Sequence, residues 1–354
     1  MISTSFTRTF GVAVPIIGAP MAGVSGGALA AAVARAGGLG FLGSAFSDAA
    51  WIESEYKKAK ELLEPGADAA HSALGVSFVN FTMPGGAAAM DAALALKPSA
   101  VWLSFGDFKP LGERVKAAGI KLVCQVQTIE QAAAVVPLGA DAVVAQGGDS
   151  GGHGRKGGAS TLCLLAEVID AVAAACAHHG LPQIPVLAAG GICDGRQVAA
   201  VLALGADGAV LGTRLVATPE STLVDAKKAL YVRASDASEG GATLRTRVYD
   251  DLGPLPWPQD VDGRALRNRM SALHPDGVPE AERNALRAEL QAAAERGDTS
   301  VTQVWSGGAV GLIKSVDEPA EALVSRIADE AAVVAELEKL LGEQKIQSSN
   351  TRRA

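Results

Sequence analysis

Through Thr213 the chain alternates short apolar runs with longer Ala-rich amphipathic stretches. The apolar runs predict strands at about Val14–Ala19, Leu39–Gly43, Leu74–Asn80, Ala100–Phe105, Lys121–Gln127, Ala142–Gly147, Pro185–Gly190 and Gly208–Gly212. Several of them, such as VPIIGA and KLVCQV, do not alternate apolar with polar residues. That pattern belongs to strands buried on both faces, as in a parallel sheet. The stretches between them, among them GALAAAVARAGG and GRQVAAVLALGADG, carry helical periodicity. Eight strand–helix units predict an α/β fold, a (β/α)8 TIM barrel. A doubly wound open sheet is the alternative.

After Thr213 the rhythm changes. Residues 225–305 carry charge, prolines and tryptophan, as in VYDDLGPLPWPQDVDGRALRNRM. They predict a second, mostly helical domain inserted after the eighth strand, on the substrate side. The expected organisation is a barrel over 1–224, this segment over 225–305, a return to the barrel over 306–341 and a polar, frayed tail over 342–354. The Gly-rich TQVWSGGAVGLI and a last helix, about Pro319 to Leu341, form the return.

Composition fits this picture. The 354 residues hold 41 glycines and are 49% hydrophobic but only 4% aromatic, which suits Gly-rich turns and Ala-rich helices. A formal net charge of −7, with no basic tract, argues against nucleic acid as a partner. No apolar run is expected to reach the roughly 18–20 residues of a membrane span. The N-terminus, MISTSFTRTFGVAVP, lacks the pattern of a signal peptide, so a cytoplasmic protein is expected. Cys124, Cys163, Cys176 and Cys193 form no CxxC pair and stand beside no His at ligand spacing; they read as reduced core residues, and no metal is expected.

In a barrel of this kind the active site forms on the loops after the strands. The predicted strand ends carry Ala19-Pro20-Met21, Asn80-Phe81-Thr82, Gln146 with the loop GGDSGGHGR, Ala189-Gly190-Gly191 and Gly212-Thr213-Arg214. Gly190-Gly191 and Gly212-Thr213 follow consecutive strands, one β/α unit apart. There the backbone can approach an anion without a Cβ in the way, so the pair predicts a phosphate site. No GxGxxG after a first strand and no GxxxxGK[ST] supports a Rossmann or P-loop site. His153 is the candidate catalytic histidine, since its loop is too Gly-rich to be packed core. His178-His179 end a helix before Gly180, and His71 and His274 lie in surface-like sequence. Asn80 and Gln146 are apt for hydrogen bonds to a ring with alternating donors and acceptors.

At these residues the chain resembles the nitronate monooxygenases, formerly called 2-nitropropane dioxygenases. The resemblance rests on PIIGAPMAGVSGGALAAAVARAGGLGFLG, VNFT, AQGGDSGGHGR, PVLAAGGICDGRQVAAVLALGADGAVLGTRLVATPES and WSGGAVGLI, in order along the whole chain. It implies a non-covalent FMN. Ala19, Pro20 and Met21 would lie against the isoalloxazine ring, and Asn80 and Gln146 would bond its polar edge or the ribityl chain. Gln125 stands where some relatives carry Lys. Gly151 and Gly152 would line the cofactor, Ala189 precedes the phosphate turn, and Gly190, Gly191, Gly212 and Thr213 would bind the phosphate. His153 falls on the family's active-site histidine. Some relatives use tyrosines; Tyr56, Tyr231 and Tyr249 match none of those positions safely.

The implied reaction is oxidation of an alkyl nitronate, such as propionate 3-nitronate, by O2 to a carbonyl compound and nitrite. An anionic substrate calls for positive charge, from protonated His153 with Arg155 or Lys314. A neutral nitroalkane calls for a base, a role neutral His153 could fill. Two alternatives stand beside this: an NAD(P)H-dependent flavin reductase of quinone or enoyl type on the same barrel, and a non-catalytic flavin- or phosphate-binding barrel. A monomer or homodimer is expected.

Overall fold

A computed structural model describes residues 2–351, apart from 46, 47, 64, 65, 67, 83–85, 236, 238, 240 and 274–276. His274 therefore lies outside the described residues. The strands are β1 (Ile16–Gly18), β2 (Leu39–Leu42), β3 (Leu74–Val79), β4 (Ala100–Ser104), β5 (Lys121–Val126), β6 (Ala142–Gln146), β7 (Gly152–Arg155), β8 (Val186–Ala189), β9 (Gly208–Leu211), β10 (Thr243–Thr246) and β11 (Val261–Leu266). β1–β6, β8 and β9 form a closed parallel barrel. β9 returns to β1, with Gly18 opposite Leu211, which rules out the open sheet.

Side chains of period two sort the strands into an inner and an outer layer. Val123 of β5, Val144 of β6 and Leu187 of β8 point inward with Ile17, Leu39, Phe41, Trp102 and Val210. Leu122, Cys124, Val143 and Ala188 point outward and meet the helices. Phe41 and Trp102 fill the barrel centre edge to face, centroids 5.4 Å apart. Gly75 has no side chain because Phe41 occupies the space; a Cβ there would lie 2.2 Å from its ring. Helix Ser5–Phe10 plugs the amino-terminal mouth with the buried Phe6 and Phe10. Burying each of these rings is worth about 1.5–3 kcal/mol. The Thr4 hydroxyl ties the plug down by donating to the Asp207 carbonyl at 2.7 Å.

Three local expectations are corrected. The glycine-rich loop after β6 is not irregular throughout. Its residues 152–155 form β7, because β11, more than a hundred residues later, offers it a partner: β10, β11 and β7 make an antiparallel sheet. The partner is remote, so no local pattern could announce the pairing. Helix Thr161–His179 does meet the length and hydropathy of a membrane span. Its Leu164, Leu165, Val168, Val172 and Cys176 are buried in the layer between barrel and helices. The polar tail continues a helix from Ala320 to Thr351, since nothing after Gly342 breaks it. That helix lays Leu323, Val324, Ile327 and Ala331 into the same layer, and Gly195 makes room for Glu330, whose Cβ would be 2.3 Å from an added one.

Residues 225–305 contain helices Asp225–Arg233, Val248–Leu252, Arg269–Leu273 and Arg283–Glu295 together with β10 and β11. Their own apolar cluster includes Val248, Tyr249, Met270 and Ala293. The sheet formed with β7 fastens this segment to the carboxyl-terminal rim of the barrel.

Candidate active site

A cavity of about 360 Å³ opens at the carboxyl ends of the barrel strands. Ala19, Pro20, Met21, Gln125, Gln146, Gly151, Gly152, His153, Ala189, Gly190, Gly191, Gly212 and Thr213 all line it. Asn80 does not; its amide nitrogen and oxygen are both buried without a partner.

One end of the cavity is backbone. Gly190 and Gly191 leave β8 with φ of +115° and +69°, conformations that L side chains rarely adopt. A Cβ on Gly190 would lie 2.4 Å from Ser150 Oγ. Among the described residues, Gly190, Gly191 and Gly212 donate their N–H groups to no other residue. Helix Thr213–Val216 starts beside them, and its first N–H groups have no intrahelical acceptor. The result is a concave set of donors suited to an anion. Thr213 Oγ1 does not face a ligand alone, because it accepts from the Gly307 N–H at 2.9 Å. That bond, with Gly308 N–H to the Asp149 carbonyl at 3.0 Å, seats the WSGG loop against the ends of β6 and β9. Gly151 is small for the same reason: a Cβ there would lie 2.5 Å from Gly307 N.

The other end is side chain. Gln125 and Gln146 continue the inward series of Val123 and Val144, so the period of two delivers them to the cavity floor. Gln146 Oε1 accepts from Gln125 Nε2 at 2.8 Å and Gln127 Nε2 at 2.6 Å. Its own Nε2 donates to the His153 carbonyl at 3.0 Å. The Gln146 carbonyl is thus fully used, and one of its N–H groups is left for a ligand. The His153 imidazole stacks on Trp257 with centroids 3.6 Å apart and planes 8° apart, and Trp305 lies tilted at 4.9 Å. Nε2 of His153 pairs with Asp250 Oδ1 at 2.6 Å. Phe81 and Phe105 pack edge-on against Trp257. Phe105 holds a φ of +53°, a costly conformation for a bulky residue, and thereby turns its ring toward Trp257.

Sequence reasoning missed Asp250, Trp257, Trp305 and Lys227. The signal was faint: four tryptophans in the whole chain, two of them in the late segment. Arg155 and Lys314, expected near the substrate, do not line the cavity. Arg155 faces Asp260 at 3.9 Å, and Lys314 donates to the Gly311 carbonyl. Lys227 is the cation in the wall. It donates to the Gln303 carbonyl at 3.0 Å and has no carboxylate within ion-pair distance among the described residues. Burial lowers its pKa from the ordinary lysine value. Tyr231, one turn further on, also lines the wall and donates to the Trp305 carbonyl at 2.6 Å. Tyr249 meets Trp305 edge-on, and Tyr56 is buried in the outer layer. Cys193 lines the cavity as an inert thiol, pushed up to about 12 by burial. His71, paired with Asp68, and the exposed His178 and His179 lie away from it.

A closed parallel barrel with a donor cradle and one imidazole in the cavity wall defines a barrel enzyme acting on a small molecule. Residues 3–70 and 87–330 match the nitronate monooxygenase family, and the chain belongs to that family. It is an oxidoreductase. The match leaves out 71–86, the stretch that holds Asn80. The nitronate monooxygenase npaC of Metarhizium robertsii is 35% identical over 344 residues, 90% of this chain and 91% of that protein. The solved nitroalkane oxidase of Streptomyces ansochromogenes is 31% identical with a TM-score of 0.73, covering 94% of this chain and 99% of that one. FabK of Thermotoga maritima is 28% identical with a TM-score of 0.79, covering 97% and 100%.

Proposed function

We propose that this enzyme uses FMN to oxidise alkyl nitronates with O2 to carbonyl compounds and nitrite, in the cytoplasm. The observation that carries the reading is a single imidazole, His153, in the wall of a cavity whose far end is a glycine cradle of unpaired N–H groups. The fit to FMN rests on that cradle. Gly190 lets that turn pack against Ser150 and Thr161, where a Cβ would collide, and the cradle's donors suit one terminal phosphate. The small residues Ala19 and Pro20, with the Gln125 and Gln146 amides, suit a flat heteroaromatic ring. When bound, FMN supplies the electron transfer between substrate and oxygen.

The chain's own residues do the rest. Lys227 offers an ammonium to the carboxylate of a substrate such as propionate 3-nitronate, and His153 offers a donor to the nitronate oxygens or a base for the proton on the nitro-bearing carbon. Trp257 and Trp305 limit water around the imidazole, which strengthens each charged contact. Residues 225–305 serve as the substrate-side unit. The test is nitrite release and O2 uptake with propionate 3-nitronate, run beside NADH or NADPH oxidation with a quinone. Nitrite release without nicotinamide is expected. Rapid NAD(P)H oxidation with negligible nitrite would replace this reading by the reductase.

A further inference from the structure

His153 belongs to the barrel, yet everything that fixes its ring comes from the later segment. Its backbone pairs with Gly263 of β11. One face of the ring lies on Trp257. Nε2 meets Asp250, whose side chain is 3% exposed. Trp257 is itself braced, since Arg247 donates to the Pro258 carbonyl at 2.9 Å and to the Trp257 carbonyl at 3.5 Å. The stack resists a flip of the ring that would exchange its nitrogens. A carboxylate accepts only, so a neutral His153 must carry its proton on Nε2 and donate it to Asp250. Nδ1 then holds the lone pair. It has no partner among the described residues, and it is not sealed from solvent as the other Asp250 oxygen, Oδ2, is.

We infer that Asp250 is a positioning residue that locks His153 in the Nε2–H tautomer, leaving Nδ1 as the base that takes the α-proton of a neutral nitroalkane. This rests on the nitronate reading above. The α-carbon–hydrogen bond breaks and its proton goes to Nδ1. The bonding pair enters the carbon–nitrogen bond of the resulting nitronate anion. His153 becomes an imidazolium whose Nε2–H stays on Asp250, so a half-buried cation forms against a buried anion already in place. A substrate that arrives as the nitronate has lost this proton and does not need the tautomer.

Two measurements on Asp250→Asn and Asp250→Leu test the inference. The first is ¹⁵N–¹H correlation on histidine-labelled protein, with His153 assigned by its loss in His153→Asn. Wild type should show a pyrrole-type Nε2 and a pyridine-type Nδ1, and Asp250→Leu should show mixed tautomers. The second is kcat/KM on a nitroalkane and on its preformed nitronate. The nitroalkane value should fall about 10²-fold or more in both variants, as expected when a general base loses its alignment. The nitronate value should fall much less, with FMN content unchanged. An equal loss on both substrate forms, or a wild-type ring protonated on Nδ1, would overturn the inference. If wild-type protein released no nitrite from either form, the functional reading would fall, while the tautomer measurement would still decide Asp250's part.

Discussion

The two ends of the cavity are built by different means. At the cradle, main-chain N–H groups and absent side chains make the site, and all of it comes from two consecutive barrel loops. At the imidazole, four side chains from two distant stretches make it: His153 from the loop after β6, and Asp250, Trp257 and Trp305 from beyond residue 225. A backbone site depends on where the chain may bend, and Gly supplies that locally. A side-chain site depends on which remote elements dock, and it can change while the barrel stays the same. The cradle should therefore be intolerant of side chains at Gly190 and Gly191, and the imidazole end should be graded in its response.

The sharpest way to break this contrast is at Gly191. Its φ is +69°, and a Cβ there would lie 3.1 Å from Asp149 Cβ. Gly191→Asp adds strain and sets a carboxylate among donors meant for an anion. Colourless protein with no FMN released on denaturation is expected; full yellow occupancy would move the phosphate elsewhere. Next in size is His153→Asn, which should keep FMN and lose about 10²–10⁴-fold in kcat/KM on nitroalkanes, with a smaller loss on nitronates. Steady-state kinetics on both forms reads this, and an unaffected nitroalkane rate would remove His153 as the base.

Lys227→Met probes selectivity. Removing a charged hydrogen bond of this kind should raise KM for a carboxylate-bearing nitronate about tenfold or more, and leave an uncharged alkyl nitronate unchanged. The pH dependence has a definite sign. Burial lowers the Lys227 pKa, so its charge is lost at lower pH than for an ordinary lysine. KM for the carboxylate substrate should thus climb on the alkaline side before exposed lysines titrate, and Lys227→Met should abolish that climb. The smallest effect belongs to Arg155→Ala. Its side chain is 45% exposed and faces Asp260 across 3.9 Å, so kcat/KM should stay within about threefold of wild type. A larger loss would put Arg155 back at the substrate.

Much of the molecule was determined by the sequence itself. Short apolar runs between Ala-rich amphipathic stretches set eight strands, because burial on both faces rewards such a run wherever the strand ends up. The glycines after β8 and β9 were legible for a similar reason: positive φ and close approach are local demands that few residues meet. Gln146 was readable as a polar strand end, whereas Gln125 was reached only through the family resemblance. Asn80 shows the limit, since its place at a strand end was readable, but its burial without a partner and outside the cavity lining was not. Tertiary structure alone decided the imidazole end. β7 exists only because β11 pairs with it, and Asp250 meets His153 across 97 positions of chain. Lys227, unremarkable in a charged helix, lines the wall because that helix docks on the barrel rim, whereas Arg155 and Lys314, nearer to the motifs in sequence, point elsewhere. Local chemistry fixes what a segment can form; which side chains meet depends on contacts whose free energy exists only once distant segments have closed together.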